Sequence, residues 1–514
     1  MTNRIARCRL QAKNTQVAQK LTIRDSSTGQ LSMSTSRQET DTKTSETKKP
    51  PTTFWNTLLA RQGVVAYMPI IAVNILMFCF ASWQFLWLNT DPARYQCYAL
   101  TYWMGSNGAQ LLPATQCSFL PISMLAQPPL HMLPLEYPPF ALAIFSLPLF
   151  VPLLYYQLVF AVLMALISAL IYWLLLRYGP RGAALAFAFY LFIGAWALAQ
   201  ERFDLVPAAL TLLCLIAAER KHWTTAYIAL AFGFLLKIYP ILFLPALFIA
   251  EQQDTQNIYM PAKLHTLNTL PGDLWHTLQG IRHWRWKNTL LFFAIVLAIT
   301  GFFALFDFKG AVLSQVSYFA NRPLQVESTG SILLWPGTFI GFPVHIVLSF
   351  GSVNMVSALG GVVSNLLELL FVVGYVYAIF LQWHGKLDVV QTSISLLLVF
   401  IATGKVFSPQ YLIWVIPLLA YSGAFDRFWL VAWGSISLLT IIIYPYFYSR
   451  MIDTVKTPSV PGFIQIVTAR NVLFVLLTLA YLFNWFHIRR RKALPTVEKI
   501  QDTDVQPLVS SNGN

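Results

Sequence analysis

Apolar positions along this chain fall in long unbroken runs, not in the alternation of a half-buried strand or the stripe of a soluble amphipathic helix. Residues 64–88 contain no charged side chain. At about 1.5 Å of rise per residue, such a run can cross a hydrocarbon core of about 30 Å. Further clear crossings are expected at 155–176, 183–199, 290–305, 362–381, 428–444 and 464–486. Shorter runs at 205–218, 223–236, 241–250, 394–401 and 411–421 fall below a full span. Those helices must extend into their polar flanks or sit inside the bundle. Two more apolar stretches, 140–154 and 342–350, are expected to be re-entrant or interfacial. If they crossed, the basic loops would fall on the wrong side. The pattern predicts an all-α polytopic membrane protein, a bundle of about twelve transmembrane helices with a long first exterior loop.

The polar segments divide the chain. Residues 1–60 are rich in Ser, Thr, Gln and Lys and read as a disordered cytoplasmic tail. Residues 61–488 form the membrane domain, whose first apolar run acts as a signal anchor, and residues 489–514 form a second polar cytoplasmic tail. Lys and Arg mark the cytoplasmic side, at Arg177 and Arg181, at Arg220 and Lys221, in the 282–287 stretch and from Arg489 to Lys492. On that path the exterior segments are the loop 89–137, the corner 201–204, the loop from 307 to about 335, and the turn 405–411.

Composition agrees with this layout. The chain is 56% hydrophobic and 11% charged, where soluble proteins carry roughly 25% charged residues. The net charge of +14 collects in the tail and short loops, which is a topological signal and not one for a nucleic-acid partner. The five cysteines form no CxxC pair. Cys97 and Cys117 share the first exterior loop, where they are either a disulfide or two unrelated thiols.

One feature runs against the topological trend. Arg94, Arg202, Lys237, Arg322, Lys405 and Arg470 all fall at the exterior edge. Charges at membrane depth are costly and usually serve a pathway or ligand. Either each pairs with a nearby acid such as Glu201, Asp204 or Glu327, or the excess holds an anion such as a lipid phosphate. Asp91 follows the first crossing at once and reads as an interfacial carboxylate, a helix N-cap or a solvated loop residue. Glu136 precedes Tyr137-Pro138-Pro139, a turn into the next apolar segment. The first loop holds no Asp-x-Asp or Asp-Asp pair, so neither a metal site nor a cofactor is expected.

These corners resemble glycosyltransferase family 87, a branch of the GT-C superfamily of membrane enzymes that use polyprenyl-phosphate sugars. Asp91 with Tyr95, then Glu136-Tyr137-Pro138-Pro139, is similar to the family's D-x-x-x-Y … Y-P-P pattern. Arg202-Phe203-Asp204-Leu205-Val206-Pro207 resembles its R-x-D-x-x-P corner, and Lys237-Ile238-Tyr239-Pro240 its K-x-Y-P. Arg322 to Ser328 resembles R-x-x-Q-x-E-S, Phe407 to Tyr411 resembles F-S-P-Q-Y, and Arg470-Asn471 the late R-N. Each motif alone is weak, but six in the family's order run from about residue 64 to 486. The N-terminal tail lies outside the resemblance. The first loop departs from it in being rich in Pro, Leu and Met, which bears on the acceptor.

The resemblance implies an inverting hexosyltransferase, mannose being the favoured sugar, with a polyprenyl-phosphate donor and a lipid or glycan acceptor. It makes Asp91 the general base, with Glu136 and Asp204 as fallback bases. Arg202, Lys237, Arg322 and Lys405 would bind the donor phosphate as a group. Tyr95, Glu136, Tyr137, Asp204, Gln325, Glu327 and Gln410 would bind sugar or acceptor, and for Gln325, Glu327 and Gln410 interhelical hydrogen bonds are an equal reading. The implied location is a bacterial plasma membrane with the site facing outward, in contact with membrane lipids. A transporter or lipid flippase with a basic exterior cavity is the rival from another class. It predicts matched repeats in two halves, and none is visible in the sequence. A catalytically silent scaffold of the same fold is a second rival.

Overall fold

The computed structural model describes residues 63–485, apart from 85–86, 88–89, 122, 124–125, 257 and 259–269. The expected tails at 1–60 and 489–514, and the start of the first loop at Asn89, lie outside the described residues. The described chain is mostly helical. The principal helices are α1 (Met68–Ala81), α2 (Asp91–Met104), α3 (Tyr156–Tyr178), α4 (Ala183–Ala195), α5 (Leu205–Glu219), α6 (Trp223–Leu236) and α7 (Leu244–Asp254). They continue as α8 (Lys287–Ala304), α9 (Gly360–Trp383), α10 (Val389–Thr403), α11 (Tyr411–Gly423), α12 (Arg427–Ile441) and α13 (Phe463–Leu482).

Six segments are long and apolar enough to cross a membrane: Val64–Ala81, Leu153–Tyr178, Lys287–Ala304, Gly360–Trp383, Arg427–Arg450 and Phe463–Leu482. Their outer faces identify the solvent. On α9, Val362, Leu366, Leu369, Val373 and Val376 are all exposed, at alternating steps of four and three residues that place them on one face. Exposing such a stripe to water would cost about 25 cal/mol per Å², a penalty that lipid tails remove. The shorter apolar helices are placed differently. Every residue of α11 is buried, and nearly all of α10 is. A helix surrounded by protein need not match the thickness of the hydrocarbon, because its ends meet polar groups inside the bundle.

Between α8 and α9 the apolar stretch 342–350, expected to be re-entrant or interfacial, runs through a strand hairpin. His345–Ser349 (β2) and Ser352–Val356 (β3) form an antiparallel hairpin, and Leu324–Gln325 (β1) pairs with the other edge of β3. Val353 and Met355 point into a small core with Leu324 and Val326, while His345 and Leu348 are exposed. Between Val353 and Met355, Asn354 is buried as well, its amide donating to the Ser349 and Ser352 carbonyls. The fold is therefore helical with a three-stranded sheet on one loop. The stretch 140–154 contains a short helix, Ala141–Ser146, and 3-10 turns, too short to span.

Cys97 on α2 and Cys117 form a disulfide, with Cα atoms 5.8 Å apart. It ties α2 to the loop that follows it.

Candidate functional site

Asp91 owes its position to local capping. Thr90 is the N-cap of α2, its hydroxyl accepting from the Ala93 N–H at 3.3 Å. The N-cap reading of Asp91 thus passes to Thr90, and Asp91 stands in the first turn, where the helix dipole favours a carboxylate. The Thr90 hydroxyl also donates to Gln157 on α3 at 2.8 Å, which fixes the start of α2 against the bundle.

A chain of alternating charges radiates from this carboxylate. Arg94, one turn on, is 3.7 Å from Asp91 and pairs with Glu136. Arg202, in the corner between α4 and α5, pairs with the other oxygen of Asp91 and donates to Gln410 at 2.6 Å. Beside it Asp204 is wholly buried, and one of its oxygens accepts from both Lys237 and the Trp414 indole at 2.5 Å. The Lys237 ammonium is caged by aromatic rings, 4.9 Å from the centroid of Phe203 and 5.2 Å from that of Trp414. Tyr95 and Tyr137 pack with Phe145 and Phe203 in one aromatic cluster under this network.

The remaining basic residues differ in their partners. Lys405 pairs with Glu368 at 2.9 Å, an acid that is mostly exposed; such pairs contribute about 0–1 kcal/mol. Arg322 donates to the Ser352 hydroxyl at 3.0 Å and lies over the Tyr318 ring. Among the described residues it has no carboxylate partner, and its buried Nε has no acceptor. Tyr318 in turn donates to the Phe350 carbonyl at the tip of the β2–β3 hairpin. Gly351 follows with φ of +67°, and a Cβ there would stand 2.8 Å from Glu136. The tip can lie over the Arg94–Glu136 pair only because this residue is glycine.

Two other expected sugar contacts are engaged by the protein itself. Gln325 accepts from the Phe407 N–H at 2.9 Å, and its own N–H donates to the Lys405 carbonyl. Glu327 is buried between Arg470 at 3.1 Å and the Tyr448 hydroxyl at 2.9 Å. Burial pushes the Glu327 carboxyl up and Arg470 pulls it down, leaving it above the usual carboxylate range. Both residues hold the 405–407 turn and α13 against the β1 loop.

The structure thus joins Asp91, Arg202, Gln410 and Glu136 through direct contacts, with Lys237 and Asp204 alongside. Three of the four expected phosphate ligands carry acidic partners, and Arg322 has none among the described residues. Sequence reasoning left Arg94 out of the site, although its i+3 spacing from Asp91 on a helix was a signal. It also left out Trp414, which no motif marks, and Glu201. The Glu201 carboxyl is buried with one oxygen unpartnered. Burial, reinforced by Asp91, pushes it up to about 9.

Comparison with protein-family models and with curated proteins finds no match.

Proposed function

We propose that this chain is a GT-C-type membrane glycosyltransferase with twelve crossings. It moves a hexose, with mannose favoured, from a polyprenyl-phosphate donor to an extracytoplasmic lipid or glycan acceptor, with inversion. One observation carries the reading: a partly exposed carboxylate, Asp91, is fixed by two guanidiniums in the charged rim to which an arginine without an acidic partner, Arg322, is linked through Tyr318 and the hairpin tip.

In this reading Arg94 and Arg202 fix the direction of the Asp91 lone pairs. Asp91 takes the proton of the acceptor hydroxyl as that oxygen bonds to the anomeric carbon. The bond from the anomeric carbon to the phosphate oxygen breaks, and its electron pair leaves on the polyprenyl phosphate. Arg322 meets that growing charge. At an effective dielectric of 20, a unit pair about 4 Å apart is worth about 4 kcal/mol, far more than Lys405 can offer while it shares an exposed acid. Lys405 is a secondary phosphate contact, and Arg202 and Lys237 position Asp91 and Asp204. The aromatic cluster of Tyr95 and Tyr137 forms the floor of the site.

The test is transfer from labelled polyprenyl-phosphate mannose in membranes, with lipid extracts screened for product. Asp91→Asn keeps the size of the side chain and removes the base. Transfer should fall by about 10²-fold or more while the protein stays inserted. Near-normal turnover, with the amide variant of Glu136 or Asp204 inactive, would move the base there. Activity in all three variants would sink the glycosyltransferase reading.

A further inference from the structure

An apolar groove of about 490 Å³ opens between α1, α4 and α12, within the roughly 300–1,000 Å³ typical of small-molecule sites. It is lined by Phe80 of α1, by Phe192 and Trp196 of the α4 wall, and by Gly434, Leu438 and Ile441 of α12. Among the described residues no charged side chain lines it. Its walls are fixed to one another. The Phe80 ring lies 6.3 Å from that of Phe192 and edge-on to Trp196 at 5.7 Å. The Gln200 amide, just past α4, donates to the Asn74 carbonyl of α1 at 2.9 Å. Gly194 lets α4 and α12 close together, since a Cβ there would stand 3.0 Å from the Ser437 hydroxyl. Gly434 has the opposite effect. A Cβ there would meet nothing within 4 Å, so the missing side chain leaves room in the groove.

The groove leads into the charged site. Each wall runs on in sequence to a residue of that site or its margin: α1 to Asp91, α4 to Arg202, and α12 to Tyr444, three positions past Ile441. The backbone leaves the helical conformation at Tyr444, which stands within electrostatic reach of Arg202, Glu201 and Asp91. Arg202 is already bonded to Asp91 and Gln410. This end of the groove thus offers two carboxyls against one committed guanidinium. A phosphate would meet the Asp91 charge there, whereas a hydroxyl would find acceptors. Arg322, suited to the leaving phosphate, stands instead beside Ser352 and Tyr318.

We propose, resting on the glycosyltransferase reading, that the acceptor is a membrane lipid with an uncharged, hydroxyl-bearing headgroup. Its hydrocarbon chain lies between α1, α4 and α12, and its hydroxyl is delivered to Asp91. Phe80 and Leu438 are exposed at the groove's edge, so a chain can enter sideways from the bilayer. Lipid tails are as apolar as the groove, and hydrophobicity alone does not draw a chain in. The aromatic wall supplies a fixed track, and a held chain sets the approach of the hydroxyl to the base.

The full-length protein in membranes tests this in two arms. In the first, the donor is labelled polyprenyl-phosphate mannose, and product is partitioned between organic solvent and water after mild acid has cleaved unused donor. The wild type should place label in the organic phase. Gly434→Leu fills the groove with a good helix former and should lower that transfer about tenfold or more at an unchanged donor KM. Gly434→Ala, which leaves the groove open, should stay near wild type. The second arm needs no turnover. Decyl mannoside with a diazirine at its chain end should crosslink to the 434–441 segment of the wild type and not to that of Gly434→Leu. Label in water-soluble product alone, undiminished transfer by Gly434→Leu, or equal crosslinking of both proteins overturns the proposal and leaves the glycosyltransferase reading standing. A raised donor KM in Gly434→Leu also overturns it, by giving the groove to the donor's prenyl chain. Crosslinking to the wild type without any transfer would fail the glycosyltransferase reading, and the acceptor role with it, while the lipid site would stand.

Discussion

At the scale of single residues, the site separates cations by what they touch. Arg202 and Lys237 each meet a buried or half-buried acid, Lys405 meets an exposed one, and Arg322 meets a hydroxyl and a ring. Arg322→Gln should therefore impair use of the donor more than Lys405→Gln does, which donor titrations of the two variants will compare. Equal, wild-type behaviour of Arg322→Gln would pass the phosphate role to its neighbours. Glu201 gives a prediction in pH. Its carboxyl ordinarily titrates near 4.5, and burial with Asp91 nearby raises it to about 9. Its contribution to stability is fully present below about pH 4.5 and is lost as the pH rises towards 9, because the unfolded chain ionises first. Thermal unfolding in detergent should show this decline, and Glu201→Gln should flatten it. An unchanged slope would mean that Glu201 is already ionised at neutral pH. The motifs made most of these residues legible. Their pairings were not, because an ion pair between residues as distant as Asp91 and Arg202 leaves no local pattern.

At the scale of elements, α2 carries the candidate base at one end and a disulfide half-way along. Closing a loop of 20 residues between Cys97 and Cys117 should stabilise it by about 3 kcal/mol. Maleimide labelling of the two thiols should appear only after reduction, and reduction should lower transfer by loosening the helix under Asp91. Equal labelling without reductant would remove the idea. The hairpin of β2 and β3 shows why an apolar run is a weak guide to the type of element. Residues 342–350 look like a membrane piece when counted for hydrophobicity, but a turn at Phe350 and Gly351 folds the chain back on itself. The two halves then pair as antiparallel strands, a short element that hydrophobicity alone does not distinguish from a helix.

At the scale of the whole molecule, the long helices with exposed apolar faces and the short buried ones form a shell and a centre. The proposed topology of twelve crossings predicts that reporters fused at the C-terminus read as cytoplasmic and those placed in the first loop as exterior. A C-terminal reporter on the exterior would give an odd number of crossings and overturn the map. The sequence alone determined that the long runs without charges need apolar surroundings, lipid or a buried core. It also determined which corners carry charge, and the order of the motifs that suggests a chemistry. Tertiary structure decided the rest: that Asp91 faces Arg202 and not water alone, that Glu327 holds Arg470 inside the fold, and that Arg322 is left without an acid among the described residues. Such contacts join residues distant in sequence, and their geometry is set by how helices pack, which no single segment encodes.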